Sequence, residues 1–292
     1  MNQFYKAIVL AGVALGLAGL PTIAQAQAQS DEGAGQTEDT TQVETVPVEA
    51  SEEAPVAEAE SAADESGMSA EDFYNRGLEK FQQRQFEAAI ADFDKALALN
   101  AELVEAYGNR GIARSQVGDY EGAIADYNQV LQRNPEDDKA YYNRGIAQSS
   151  LKNYKEALAD YTKALELQPE DADAYYNRGN VQVALEEYDK AIEDYTRAIE
   201  LEPADPGIYN NRGAAYRKLE DYEKAIEDYS KATELKPDYA EAVFNRGIAH
   251  YYQKNTEDAI ADFKKAADLF AAQGKETAAQ QALKNATALQ QQ

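Results

Sequence analysis

Six arginines recur along this sequence at intervals of 34 residues: Arg76, Arg110, Arg144, Arg178, Arg212 and Arg246. Six aspartates keep the same interval: Asp92, Asp126, Asp160, Asp194, Asp228 and Asp262. A row of guanidinium groups can bind anions, because the planar fork matches carboxylates and phosphates. Two rows that repeat together and match in number point instead to mutual pairing, with each arginine leaving one helix to meet an aspartate on another. Where such pairs are substantially buried, removing one partner costs on the order of 3–5 kcal/mol. A third row directly precedes the arginines: Asn75, Asn109, Asn143, Asn177, Asn211 and Asn245. A carboxamide both donates and accepts, so it can hold the backbone of an extended peptide. The alternative is a solvent-facing residue copied with the repeat. On the first reading, changing Asn143 and Asn177 to alanine weakens ligand binding with little loss of stability, whereas Arg144→Ala destabilises the chain.

No reaction centre is legible. His250 is the only histidine and reads as a packed side chain. The absence of cysteine removes disulfides, thiolate metal sites, cysteine nucleophiles and lipid attachment at a cysteine. Acidic clusters such as Glu136, Asp137 and Asp138 fall where one repeat meets the next, where they favour a helix N-terminus. They lack the spacing of a calcium loop, and no phosphate-cradling glycine loop appears. The expectation is therefore no catalytic, cofactor-binding or metal-binding residues and no small-molecule substrate. Lysine and arginine number 28 against 53 acidic residues, a net charge of −25. Phosphate recognition needs a basic face, so nucleic acid is not an expected partner, and an anionic membrane surface is disfavoured.

The elements that carry these rows follow from the period. The tripeptide Asn-Arg-Gly stands at 75–77, 109–111, 143–145, 177–179, 211–213 and 245–247. Placing its glycine at repeat position 8 gives repeats at 70–103, 104–137, 138–171, 172–205, 206–239 and 240–273. A fixed period of this length marks a stacked-repeat fold. Position 20 is alanine throughout, and position 24 is Phe93, Tyr127, Tyr161, Tyr195, Tyr229 and Phe263. Position 4 is aromatic in five repeats, and position 32 is Pro135, Pro169, Pro203 and Pro237 in four. Positions 20, 21, 24, 27 and 28 are spaced for one apolar helical face. The small residues at positions 8 and 20 let two helices approach closely, and the rings at 4, 17 and 24 fill the space beside them. Tyr120, Tyr154, Tyr188 and Tyr222, at position 17, mark the start of each second helix, and the proline stops it.

These residues resemble the tetratricopeptide repeat, over residues 70–273. The resemblance implies an all-α, right-handed α-solenoid of six helical hairpins. Residues 274–292 read as a C-terminal capping helix, with a weak apolar stripe of Ala278, Ala279, Ala282, Leu283, Ala286 and Leu289. Position 7, usually aliphatic in the family, is arginine in all six repeats. Position 11, usually aromatic, is Lys80, Arg114, Gln148, Gln182, Tyr216 and His250. The interior of each hairpin is thus more polar than the family pattern.

The resemblance also implies a function: a protein- or peptide-binding scaffold or assembly factor, not an enzyme, acting through the concave face. In the family that face uses positions 2, 5, 6, 9, 12 and 13. The residues carried over are Asn109, Asn143, Asn177, Asn211, Tyr142, Tyr176, Lys139, Arg217 and Lys218. Family members that grip a chaperone's C-terminal carboxylate need lysines at position 2 and an arginine at position 6. Only Lys139 supplies a lysine at position 2, and no repeat has arginine at position 6, so that ligand is not implied. A self-associating structural protein of the cell envelope is the competing reading.

The N-terminus reads as a targeting segment. Ala7–Leu20 is an apolar run of 14 residues, followed by Pro21 and small residues around Ala26 and Ala28. That is the layout of a secretory signal peptide, with cleavage after Ala26 or Ala28. The run is shorter than the roughly 20 residues of a spanning helix; left uncleaved, it would tether the scaffold to a membrane. Residues 27–69 hold 12 acidic residues and no lysine or arginine, a composition that reads as a disordered linker. The expected location is the periplasm or exterior of a bacterium. Mass spectrometry of the mature protein is expected to find Gln27 or Gln29 at the N-terminus, and limited proteolysis to leave a core beginning near residue 70. An intact Met1 on membrane-bound protein would instead establish the anchor.

Overall fold

The structure is a computed structural model that describes residues 65–291. The expected signal peptide, 1–26, and residues 27–64 of the expected linker lie outside the described residues, as does Gln292. The described residues form thirteen helices and no strand. The first helices of the six repeats are α1 (Ala70–Gln82), α3 (Val104–Gln116), α5 (Asp138–Ser150), α7 (Ala172–Ala184), α9 (Pro206–Lys218) and α11 (Ala240–Tyr252). The second helices are α2 (Phe86–Leu99), α4 (Tyr120–Arg133), α6 (Tyr154–Leu167), α8 (Tyr188–Leu201), α10 (Tyr222–Leu235) and α12 (Thr256–Ala272). Helix α13 (Glu276–Gln290) closes the C-terminal end. Each helix packs on its neighbours in the chain, the all-α solenoid the repeat implies.

Local chemistry sets the boundaries. At the first helix, Ser69 Oγ accepts from the Asp72 N–H at 3.2 Å, and the Asp72 carboxylate accepts from the Ser69 N–H at 2.8 Å. This reciprocal cap satisfies two N–H groups that the helix leaves unpaired. Asp137, Asp171 and Asp205 cap α5, α7 and α9, accepting from the Ala140, Ala174 and Gly207 N–H groups at 2.8, 2.9 and 2.7 Å. The acidic junctions therefore serve the next helix, as their placement suggested. Five second helices begin at the position-17 ring and α12 at Thr256, and α4, α6, α8 and α10 end two residues before a proline.

Just before the first helix, Glu65 accepts from Arg76 Nη2 and Lys95 Nζ, both at 2.6 Å. One sequence expectation needs correction. Leu283, assigned to the buried stripe of α13, is 49% exposed, while Asn285 is buried in that helix. The alanines and Leu289 alone turn α13 onto the sixth repeat, in one cluster with Phe263 and Phe270.

The core of each hairpin is a ring laid against a glycine. A Cβ on Gly145 would stand 2.9 Å from Tyr161 Cε1, and one on Gly179 would stand 2.8 Å from Tyr195 Cε1. The glycine at position 8 therefore makes room for the position-24 ring more than for a helix backbone. Position-20 alanines are fully buried beside it. Gly108, at position 5, differs: a Cβ there would meet only Val130 Cγ2, at 3.9 Å. Opposite signs are expected for one substitution at two helical glycines. Gly145→Ala should lower stability by about 1–2 kcal/mol through overpacking, despite its better helix propensity. Gly108→Ala should raise stability by about 0.5–1 kcal/mol. Urea melts of both variants would check this, and equal effects would show that the ring contact does not decide the glycine.

Candidate functional site

The first helices of successive repeats touch each other and so line the inner side of the stack. The conserved interval places Arg76 through Arg246 and their preceding asparagines one per repeat along these helices.

Every arginine meets the aspartate of its own second helix. In the third repeat, Arg144 Nε donates to Asp160 Oδ2 at 2.9 Å and Nη2 donates to Oδ1 at 2.6 Å. The same two-pronged contact joins Arg76 to Asp92, Arg110 to Asp126, Arg178 to Asp194, Arg212 to Asp228 and Arg246 to Asp262. The carboxylates are buried, Asp160 at 6% exposure. The remaining Nη1 reaches back to the preceding repeat, where Asn128, Thr162, Thr196 and Ser230 accept from Arg144, Arg178, Arg212 and Arg246. In the first five repeats the guanidinium also lies over the position-4 ring of its own helix, 5.4 Å from the Tyr141 centroid in the third repeat. The hydrogen bonds they donate to Asp160, Asp194 and Asp262 hold Arg144, Arg178 and Arg246 above the usual arginine pKa. The arginine row is thus filled by the scaffold, as the matched rows implied.

The asparagine row has partners the sequence reading did not assign. Asn109 Nδ2 donates to Tyr74 Oη at 2.9 Å, Asn177 Nδ2 to Tyr142 Oη at 2.9 Å and Asn211 Nδ2 to Tyr176 Oη at 3.0 Å. Each bond joins position 6 of one repeat to position 5 of the repeat before. Asn177 and Tyr142 are 6% and 8% exposed. This corrects the expectation that Asn177 touches few scaffold atoms: the amide and the phenol are buried against each other between repeats. Asn180 extends the network, accepting from Tyr195 Oη at 2.7 Å and from Asn211 Nδ2 at 3.1 Å. Tyr74, Asn180 and Tyr195 were missed. A signal for the rungs exists in the sequence, a tyrosine followed by an asparagine 35 residues later at 74/109, 142/177 and 176/211.

The remaining candidates stand apart. Asn143 is half-buried and its side chain makes no hydrogen bond with any described residue, since position 5 of the preceding repeat is Gly108. Lys139 and Lys218 are exposed, and no described carboxylate lies within 4.0 Å of either. Arg217 likewise has no carboxylate partner within 4.0 Å. Its Nε is buried, and neither it nor the Tyr229 hydroxyl has an aligned hydrogen-bond partner. Burial raises the pKa of Tyr188, Tyr222, Tyr229 and Tyr252, and the nearby Arg217 charge pulls each back. The rings of Tyr222 and Tyr252 stack beside it, centroids 5.2 Å apart. The structure therefore does not bring the nine residues into one site. It divides them into scaffold rungs and a few polar groups left over.

Among the described residues no cluster of histidine and carboxylate side chains is placed to hold a metal ion. No described helix is long and apolar enough to cross a membrane.

Stacked hairpins with a polar inner face define a helical-repeat protein of the kind that holds other proteins. The chain belongs to the tetratricopeptide repeat family. Family models described as tetratricopeptide repeat match residues 81–142, 138–171, 172–205, 206–239 and 240–273. Among solved structures, the chain is 30% identical to YrrB, described as a TPR protein with an unusual peptide-binding site. That match covers 65% of this chain and 96% of YrrB, with a TM-score of 0.57. It is 26% identical to MamA from Desulfovibrio magneticus RS-1, covering 59% of this chain and 97% of that one, with a TM-score of 0.57. A tetratricopeptide repeat protein from Parabacteroides merdae is 25% identical, covering 78% and 87%, with a TM-score of 0.53. No curated protein matches. The fold is that of a protein-interaction scaffold, typically without catalytic activity.

Three alanine substitutions should separate in thermal melts. Arg144→Ala strands the buried Asp160 and should cost about 3 kcal/mol. Asn177→Ala removes the donor to a buried phenol and should cost about 1–2 kcal/mol. Asn143→Ala, with no bond to lose, should stay within about 0.5 kcal/mol of the parent. A melt for Asn143→Ala as low as that for Asn177→Ala would contradict the rung assignment.

Proposed function

We propose that this protein is an exported scaffold that holds an extended segment of a partner protein against the inner face of its first helices. The supporting observation is the separation on that face between groups the stack consumes and groups it leaves over. The arginines are paired with aspartates, and Asn109, Asn177 and Asn211 with tyrosines. Lys139, Arg217 and Lys218 have no carboxylate partner within 4.0 Å in a chain of net charge −25. Uncompensated cations in so acidic a protein suit backbone carbonyls and carboxylates of a bound chain, which charge-assisted hydrogen bonds favour. Ligand contact thus belongs to Lys139, Asn143, Arg217 and Lys218, with the edges of the tyrosine rungs at Tyr142, Tyr176, Asn109, Asn177 and Asn211 framing the path. An assembly role in the envelope of a bacterium follows from the signal-like N-terminus, with the acidic linker as a spacer. An uncleaved N-terminus would make the same scaffold membrane-tethered.

The test is selection from a displayed peptide library on the full mature protein, followed by titration of a selected peptide. The double variant Arg217→Ala/Lys218→Ala should weaken binding about tenfold or more, consistent with the loss of one or two charge-assisted hydrogen bonds. Size-exclusion chromatography with light scattering should give a monomer. A stable oligomer with no selected peptide would overturn the proposal in favour of self-association.

A further inference from the structure

The repeats act as controls for one another, and position 12 sets the fifth repeat apart. Elsewhere that position is Phe81, Ser115, Ser149, Val183 and Tyr251, none of them charged. In the fifth repeat it is Arg217, followed at position 13 by Lys218, where the others have Gln82, Gln116, Ser150, Ala184 and Tyr252. Five hairpins of the same fold stand without a cation at this place, so the scaffold does not require one. The position-7 arginines are the opposite case: they recur in every repeat, and an aspartate takes up each of them.

Arg217 also differs from the other arginines in its bonding. Arg114 reaches Asp126, Arg133 donates to Gln129 and to the Ala101 carbonyl, and Arg197 pairs with Glu200. Arg84, exposed in a turn, shares with Arg217 the lack of an aligned hydrogen bond or ion pair among the described residues. Arg217 is half-buried: its Nε is enclosed without an aligned acceptor, while both Nη groups reach solvent. Its charge bears on four phenols: Tyr188 of the repeat before, Tyr222 and Tyr229 of its own, and Tyr252 of the repeat after. Tyr229 is fully buried, and the Tyr222 and Tyr252 rings lie face to face, 6° from parallel. Glu186 and Glu220 lie near the same rings, yet no described carboxylate comes within 4.0 Å of Arg217. A guanidinium walled on one edge has less freedom to lose when its open edge is bonded, and in such surroundings a charge-assisted bond is stronger than in water.

We propose that Arg217 is a carboxylate anchor: an acidic group of a bound polypeptide accepts side by side from its two Nη groups, while the neighbouring Lys218 draws the acid in from solvent. The two cations have different tasks because successive helical residues point about 100° apart, and only Arg217 has a walled guanidinium. Two oxygens of one carboxylate match two nitrogens of one guanidinium, as Asp160 matches Arg144 within the scaffold. A singly charged anion suits a chain of net charge −25, with Glu186 and Glu220 close by, better than a doubly charged phosphate. The carboxylate belongs either to an acidic side chain or to a chain end. The anchor names the ligand group for the peptide-holding role proposed above and rests on that role for its biological source. Carboxylate binding itself is measurable without any selected peptide.

The experiment uses the full mature chain, labelled with 15N, and follows the Arg217 Nε–H resonance, which burial protects from exchange and which is assigned by its loss in Arg217→Lys. The probes, at matched ionic strength, are N-acetylaspartic acid α-amide, N-acetylglycine, the neutral N-acetylasparagine amide and inorganic phosphate. One or both carboxylates should shift the resonance saturably, and the neutral amide should bind about tenfold or more weakly, the value of a charge-assisted bond. Tighter binding of the aspartic acid compound assigns an acidic side chain, and tighter binding of N-acetylglycine assigns a chain end. Arg217→Lys keeps the charge and loses the fork, so carboxylate binding, followed on neighbouring backbone resonances, should weaken about fivefold or more. Lys218→Ala should weaken it less, and its effect should vanish at high salt. Arg217→Ala should melt close to the parent, because it strands no carboxylate. Equal affinity for the neutral amide, tighter binding of phosphate, an unmoved resonance, or an Arg217→Ala melt as low as that of Arg144→Ala would overturn the anchor. Carboxylate binding at Arg217 without any peptide selected from the library would uphold the anchor and sink the wider role.

Discussion

A buried aspartate in each hairpin requires a guanidinium, and the arrangement of the stack depends on meeting that requirement. A carboxylate nearly removed from water is tolerable only when paired and hydrogen-bonded. Arg144 supplies two bonds to Asp160 and then has one Nη1 to place, which it places on Asn128 of the preceding repeat. Its carbon and nitrogen plane rests on the Tyr141 ring. One side chain therefore joins the two helices of its hairpin and ties them to the repeat before. Position 7 can be arginine rather than aliphatic because the opposite helix brings a carboxylate into the interior. Position 11 adds to this polar centre where it is charged: Lys80 and Arg114 also reach Asp92 and Asp126.

Around that centre the apolar packing is simple. A glycine at position 8 receives the edge of the position-24 ring, and the position-20 alanine closes the other side. The turn between helices passes through a residue of positive φ in every repeat, and only Gly118 is a glycine there; Lys152 and Glu186 adopt φ of 60° and 59°. These turns carry local strain that the flanking helices hold in place. Stacked repeats interact with nearest neighbours, so strength comes from repetition, and a central lesion loosens both halves. The tyrosine–asparagine rungs add a directional bond to an interface that apolar contact alone would leave less specific.

The same rungs determine what remains for a partner. Where tyrosine and asparagine meet, the inner face has no polar group to offer beyond its edges. On the proposed reading, binding chemistry falls where the repeat pattern leaves polar groups over: Asn143, Lys139, and the Arg217–Lys218 pair among its tyrosines. In a repeat protein the deviations are the informative positions, because the scaffold explains everything that recurs.

The sequence by itself determined the period, the register, the helix boundaries near position 17 and the pairing of two charged rows, because each depends on spacing along the chain. The acidic junctions were legible as caps for the same reason. The fate of the asparagine row was not. Position 6 reads as a ligand-facing amide in one repeat taken alone, and only stacking brings the Tyr142 hydroxyl of the repeat before within 2.9 Å of Asn177. Burial of Tyr142, exposure of Leu283 and the open side of Gly108 were likewise decided by neighbours distant in the chain. A 34-residue period tells which residues are equivalent. How far one repeat is rotated onto the next tells which of them touch, and that rotation is a property of packed side chains in three dimensions.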